Sequence, residues 1–455
     1  MMGRHDSDKL MTWIIIFLLL CGVLLPLAFV LRQCTSAGKI EFNHVLLFSI
    51  GYVVYWITPI AVGESRLFTA SSGMTLWYSL FDRIPETTLV LYLLMAVSLY
   101  LAFCAGVLLC RRILPGNETA IRGFFFDRRL LNIFLLLGTA AAGAYVVLLR
   151  DSFFRGYTLN SVISNFDSHG PLIAISIFLL SLAILYSLKR QEKEPDISFR
   201  QAVSHHFFVI YFVFALLVLS LGGRLYFLSS ILMLLVYRSV YFQKITYRSF
   251  ALFVLTVMIL AGIIGRLRLG AEVSVTESVF NLAAEPLFNS FSLLQFLADG
   301  RFELINVPVF LLGDFVNLIP TALFPGKAAL LLNPDDFGYH VFSPVGSLSA
   351  FFSFMINFGF LGTALFFFLL GYFLQLLRAR GRSLLSKTIY IMTSGWLMTT
   401  FFRDPFSTSL VKSIFQYSIL FPAIVVFLAG LITFWLVEAP RRAAGTGIEE
   451  ATERA

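Results

Sequence analysis

Arginine is expensive to hold near hydrocarbon, so arginines in short breaks of a very apolar chain are the first residues to inspect for chemistry. Arg224 lies in LSLGGRLYF, a break so short that its guanidinium belongs at a membrane surface, with Gly222 and Gly223 permitting a tight reversal. Arg266 and Arg268 stand in GRLRLG, where another apolar run ends. Arg403 stands in TTFFRDPFS beside Asp404, with Pro405 placed to start the next run. A guanidinium fork matches a phosphate bidentately, and several forks around one opening would hold a diphosphate at the depth of lipid headgroups. For any single arginine, snorkelling to a phospholipid headgroup or pairing with an acidic neighbour is the competing account. Lys327, in LFPGKAALL, is a point-charge version of the same idea, with an ordinary turn lysine as its alternative.

A proton acceptor is the second kind of chemistry these residues could offer. His340, in NPDDFGYHVFSPVGS, titrates near neutral pH and is the first candidate for general base, against a purely structural histidine. Asp314, Asp335, Asp336 and Asp404 compete for that role, each with a salt bridge or a cap as its alternative. Asp335 and Asp336 resemble a metal pair superficially, and no further ligand spacing supports them. Neither a metal nor a cofactor is expected. The four cysteines, Cys21, Cys34, Cys104 and Cys110, fall in or beside apolar runs and form neither a disulfide framework nor a CxxC pair.

The elements that must position these residues are membrane spans. Of 455 residues 58% are hydrophobic and only 13% charged, and the mean hydropathy is +0.85, which excludes an ordinary soluble domain. The net charge of +8 does not point to nucleic acid, because the basic residues cluster in gaps between apolar runs instead of along one amphipathic face. The predicted fold is all-α and polytopic, with about eleven spans near 11–31, 43–62, 88–110, 130–149, 171–188, 205–221, 225–243, 249–265, 348–377, 386–402 and 409–437. This divides the chain into N-terminal transmembrane helices over 1–265, a large loop over 266–347, C-terminal transmembrane helices over 348–437 and a tail over 438–455.

Every second gap is basic: Arg32 and Lys39, then Arg111 and Arg112, Lys189 and Arg190, Arg238 and Lys244, Arg378 to Arg382, and Arg441 and Arg442. These gaps are expected in the cytoplasm, in contact with anionic lipid, and the alternate ones outside, the large loop among them. Within that loop Leu287, Phe291, Leu294 and Ala298 recur at helical spacing and predict an amphipathic helix lying in the interface. Leu304 to Pro320, with Asp314 in its middle, reads as a re-entrant or interfacial segment. No long internal repeat is visible, which argues against an inverted-repeat transporter.

Taken together, LGGRLYFLSS at a span start, LIPTALFPGKAALLLNPDDF followed by FSPVGSLSAFF, and FRDPFSTSLVKSIFQYSI near the end resemble the Wzy-type O-antigen polymerases, or oligosaccharide repeat-unit polymerases, of Gram-negative bacteria, especially the enterobacterial common antigen branch. The resemblance implies an inner-membrane glycosyltransferase whose substrate is an undecaprenyl-diphosphate-linked oligosaccharide at the periplasmic face. It implies diphosphate-binding roles for Arg224, Arg266 and Arg403, with Lys327 next, and a polysaccharide chain-length regulator and a flippase as partners. The RX10G spacing of some members is not met, since Arg301 and Gly313 stand one residue too far apart. An O-antigen ligase, a lipid-linked glycan transporter and a non-catalytic scaffold are the competing readings.

Overall fold

A computed structural model describes residues 2–66, 72–115, 128–153, 159–221, 223–256, 286–316, 324–330 and 348–438, with a few isolated positions besides. Among these residues the chain is overwhelmingly helical, and seven helices are long and apolar enough to cross a membrane. They are Lys9–Cys34, His44–Ser65, Glu86–Ile113, Arg129–Leu148, His169–Lys193, Ala350–Arg380 and Ser407–Leu436. The chain is a multi-pass helical membrane protein. In lipid each backbone N–H and C=O must be satisfied within its own segment, which is why apolar runs of this length wind into helices. Of the other expected spans, 205–221 forms the shorter helix His206–Ser220, 225–243 forms Arg224–Tyr241, and 249–265 runs out of the described residues.

The expectation of a purely helical chain needs one small amendment. Thr35–Ser36 (β1), Lys39–Ile40 (β2) and Ile245–Thr246 (β3) form a three-stranded antiparallel sheet, with Thr35 opposite Ile40, and Ile40 opposite Ile245. Ala37 and Gly38, at φ 48° and 73°, make the two-residue turn between β1 and β2, where both central residues need positive φ. The sheet ties the first interhelical gap to the one that follows Tyr241.

Packing groups the chain into two compact units that interleave along the sequence. The first holds residues 1–116, 231–379 and 393–414, and the second holds 117–230, 380–392 and 415–455. In the second unit Leu159–Lys193 packs along both Arg128–Leu148 and His206–Ser220. A small cleft there is lined by Ser176, Tyr211, Tyr226 and Ser230 among apolar neighbours.

The first unit is built around aromatic side chains. Phe48 stacks on Phe103 at 3.7 Å, Trp56 on Phe351 at 4.1 Å, and Phe367 and Phe401 close the same cluster. Two glycines let the backbones of Glu86–Ile113 and Ala350–Arg380 touch. A Cβ on Gly106 would collide with the Phe368 carbonyl, and one on Gly371 with the Phe103 carbonyl. Close approach through small residues is how helices gain contact in lipid, where apolar surface alone gives no driving force.

The helix Ala350–Arg380 is broken at Gly359, where φ is 64° and ψ −174°. The amides freed by the break are taken up by the chain segment before Val307. Phe360 N donates to Glu303 O at 2.9 Å, Leu361 N donates to Leu304 O at 2.9 Å, and Asn306 N donates to Phe358 O at 3.2 Å. Asn306 Nδ2 adds a bond to Ile356 O at 2.6 Å, and Thr363 Oγ1 caps Gly359 O at 2.6 Å. This backbone region is open essentially to glycine alone, and a Cβ here would sit 2.7 Å from Ile305 N. Gly359→Ala is expected to cost about 1–3 kcal/mol from the backbone alone. A thermal-unfolding midpoint several degrees below wild type would register it, and an unchanged midpoint would mean that the break is not imposed by the packing.

Candidate functional site

The segment that ends at Arg403 is the best-described part of the predicted site. The helix Leu384–Trp396 has 13 residues, about 20 Å at 1.5 Å per residue, too short for a hydrocarbon core of about 30 Å. Three turn residues, 397–399, then lead into the short helix Thr400–Arg403. Phe401 and Phe402 are fully buried, and Phe402 packs against Phe48 at 5.0 Å and Trp56 at 5.1 Å, beside Gly51 in the body of His44–Ser65. Arg403 is therefore recessed among the helices of its unit, where a charge is retained only for a purpose or a partner.

Two neighbours fix it. Arg403 Nη1 donates to Asp404 Oδ1 at 3.0 Å, with about a quarter of the arginine side chain exposed. Asn289 Nδ2 donates to the carbonyls of both Phe402 and Arg403, at 3.1 and 3.0 Å. Those carbonyls end a helix and lack helical partners, so Asn289 caps it from a different part of the chain. Asn289 itself is 1% exposed, and its Oδ1 has no hydrogen-bond partner among the described residues.

Asn289 precedes the helix Phe291–Ala298, and here the expected amphipathic helix differs from its prediction. The helix forms, and it is buried against the rest of the unit on nearly every face. Phe291 meets Trp77 at 5.9 Å, Phe296 meets Phe352 at 5.5 Å, and Ser349 N donates to Ser292 Oγ at 3.4 Å. The apolar repeat was one stripe of a helix whose remaining positions, Ser292 and Leu293 among them, also find partners inside.

Asp314 sits in the helix Val309–Val316, whose first turn is tied down by Leu311 N donating to Asn357 Oδ1 at 3.1 Å. Burial pushes the Asp314 carboxyl up to about 6, and the attraction of Lys412 pulls in the opposite direction. A carboxyl with that affinity changes charge just below neutral pH, the range suited to a general base. The folded protein holds this proton through a window where the unfolded chain has released it. The contribution of Asp314 to stability is therefore greatest below the ordinary carboxylate range and falls as pH rises from about 4 to about 6. Thermal midpoints across that window should decline by a few degrees in wild type and decline less in Asp314→Asn; parallel curves would remove Asp314 as the cause.

Lys327 Nζ donates to Ile319 O at 2.8 Å, so at least one of its three donors holds the local turn. Arg224 is the first residue of Arg224–Tyr241 and belongs to the second unit, half-buried and two residues before the cleft residue Tyr226. Arg266, Arg268, His340, Asp335 and Asp336 lie outside the described residues. Among the described residues no cluster of histidines, cysteines or carboxylates has the composition of a metal site. The first unit thus gathers Arg403, Asp404 and Asn289 in one place, and brings Asp314 within electrostatic reach of Lys412 in another. Asn289 and Lys412 were missed from the sequence, where the signal is faint: Lys412 is the one charged residue of TSLVKSIFQ, and Asn289 is the one amide among the serines of PLFNSFSLL.

No family model matches the chain, and no curated protein or solved structure matches it either.

Proposed function

We propose that the chain is an oligosaccharide repeat-unit polymerase of a bacterial inner membrane, acting at the periplasmic face on glycans linked to undecaprenyl diphosphate. The observation that carries this reading is the recessed Arg403, capped in place by Asn289 and paired with Asp404. An anionic group reaching that depth finds a guanidinium whose backbone is already fixed, and preorganised donors aimed at developing charge are the usual source of large rate enhancements. The sequence resemblance supplies the substrate class, and the basic interhelical gaps supply the orientation.

The reaction consistent with these residues is a displacement. A hydroxyl at the non-reducing end of one repeat unit attacks the anomeric carbon of the sugar on the second lipid diphosphate. The new glycosidic C–O bond forms as the bond from that carbon to the diphosphate oxygen breaks. The hydroxyl proton passes to a base, for which Asp404, Asp314 and His340 are the candidates, and the undecaprenyl diphosphate departs with the electron pair. Arg403, with Arg224, Arg266, Arg268 and Lys327 as further candidates, would stabilise charge on the leaving phosphate.

The test is a reconstitution of purified protein in lipid with undecaprenyl-diphosphate repeat units and no nucleotide. A ladder of products, each one repeat longer than the last, is the expected result. A single transfer to lipid A-core with no ladder would replace the polymerase by a ligase. Movement of intact substrate across the bilayer with no new glycosidic bond would replace it by a transporter.

A further inference from the structure

The first unit carries a second charged centre, which shares no residue with the Arg403 cluster, where its basic gaps meet. Glu41 is buried there, and its carboxylate receives the Arg378 guanidinium, Lys244 Nζ at 3.6 Å and Asn43 Nδ2 at 3.3 Å. Asn43 also caps the helix that starts at His44 through Val45 N and Leu46 N, and Cys34 Sγ donates to its Oδ1 at 3.3 Å. Lys244 Nζ reaches back to Ser36 Oγ at 2.9 Å. Arg111, half-buried at the end of Glu86–Ile113, lies in electrostatic reach of both Arg378 and Glu41, and Arg32 adds to it. This is a built arrangement, assembled from four separate stretches of chain.

Its charges do not balance. Glu41 is the carboxylate that acts on Arg111 among the described residues, while Arg378 and Arg32 oppose it. With Lys244 also drawn to Glu41, one negative charge serves several positive ones. The Arg378 side chain is 95% buried, being 5% exposed, and its Nε–H finds no acceptor among the described residues. A buried guanidinium that shares its one carboxylate with a lysine, and keeps a donor unused beside a second guanidinium, calls for a further acceptor. The surface around the centre is apolar and exposed: Leu27 and Leu31 on the first helix, and Leu108, Leu109 and Ile113 beside Arg111.

We propose that this centre is a phosphate-binding site that seats the headgroup of an anionic phospholipid, its phosphodiester oxygens between Arg111 and Arg378 and its acyl chains along Leu27, Leu31 and Leu108. The phosphate supplies two non-bridging oxygens to planar guanidinium donors, the geometry that arginine matches best. The exposed leucines select a lipid over a free anion. The excess positive charge selects an anionic headgroup over a zwitterionic one. Basic pockets between transmembrane helices are suited to this task on the cytoplasmic side, which is where the basic gaps would put this end. The site is independent of the proposed glycosyl transfer.

Native mass spectrometry of delipidated full-length protein, titrated with phosphatidylglycerol, phosphatidylethanolamine or inorganic phosphate, tests it. One phosphatidylglycerol should bind about tenfold more tightly than phosphatidylethanolamine and persist in excess inorganic phosphate. Arg111→Gln should abolish that preference, Arg111→Lys should retain most of it, and Arg112→Gln, which removes the same charge from the exposed neighbour, should leave it intact. Inorganic phosphate that displaces the lipid with the same dependence on Arg111 would keep the phosphate site and assign it to a soluble anion. Equal retention of the two lipids by wild type, a comparison that needs no variant, would overturn the proposal. So would equal losses in Arg111→Gln and Arg112→Gln, which would mean a diffuse basic surface.

Discussion

Gly106→Leu is expected to prevent the first unit from assembling, with purified yield collapsing and the residual material eluting as aggregate on size exclusion. The carbonyl of Phe368 occupies the space that any side chain at position 106 would need, and Phe368 C and Tyr372 N, each 2.9 Å from the added Cβ, leave no direction of escape. The obstacle is backbone, which cannot rotate aside as a side chain can. Gly371 meets the Phe103 carbonyl in the same way from the opposite helix, so the two glycines form one reciprocal contact. Gly106→Ala and Gly371→Ala should each destabilise by roughly 1–3 kcal/mol. The double variant should cost less than their sum, because the first substitution has already parted the helices. Gly143, in Arg128–Leu148, has nothing within 4 Å of an added Cβ. Gly143→Ala should be neutral or stabilising by up to about 1 kcal/mol, since alanine is the better helix former. If Gly106→Ala and Gly143→Ala unfold at the same temperature, the close approach of the two helices is wrong.

Arg403→Ala should lower glycan polymerisation by about 100- to 1000-fold in the reconstituted assay, the loss typical of removing one preorganised donor from a developing oxyanion. Arg403→Lys keeps the charge and loses the fork, and should recover only a minor part of the rate. Asn289→Ala tests the positioning of Arg403 separately. It removes both hydrogen bonds to the Phe402 and Arg403 carbonyls and leaves the guanidinium in place, so its effect should be smaller, roughly tenfold. The order Arg403→Ala, Asn289→Ala, wild type in rising activity, with all three proteins monodisperse, is the expected result. Wild-type ladders from folded Arg403→Ala would remove Arg403 from the mechanism.

Spans were the most legible part of this chain. Runs such as Val90–Leu109 match the length of a hydrocarbon core without a charge, and little besides a transmembrane helix can accommodate them. The basic gaps were legible too, and within the first unit β1 to β3 and Glu41 bring Arg378 and Lys244 to one place, as alternate gaps require. What hydropathy could not reveal was a break inside an apolar run. In INFGFLGTALFFF apolar residues continue through Gly359, and the signal for the break lies more than fifty residues earlier, in the backbone of 303–306. The setting of Arg403 was hidden for a similar reason: 386–402 reads as one span, yet its helix stops at Trp396 and a separate short helix follows. Arg378 read as an ordinary cytoplasmic-side charge, and its burial follows from Glu41, a residue far away in sequence.

The backbone hydrogen bonds between 303–306 and the broken helix have a practical consequence for anyone exchanging parts between related chains. A transplant of residues 266–347 alone would separate a hinge from the peptide that completes it, leaving Phe360 and Leu361 with amide groups that the donor loop was not shaped to receive. Chimeras that carry 303–306 and 350–363 together preserve the junction, and boundaries for such exchanges belong in the middle of the uninterrupted stretch after Thr363.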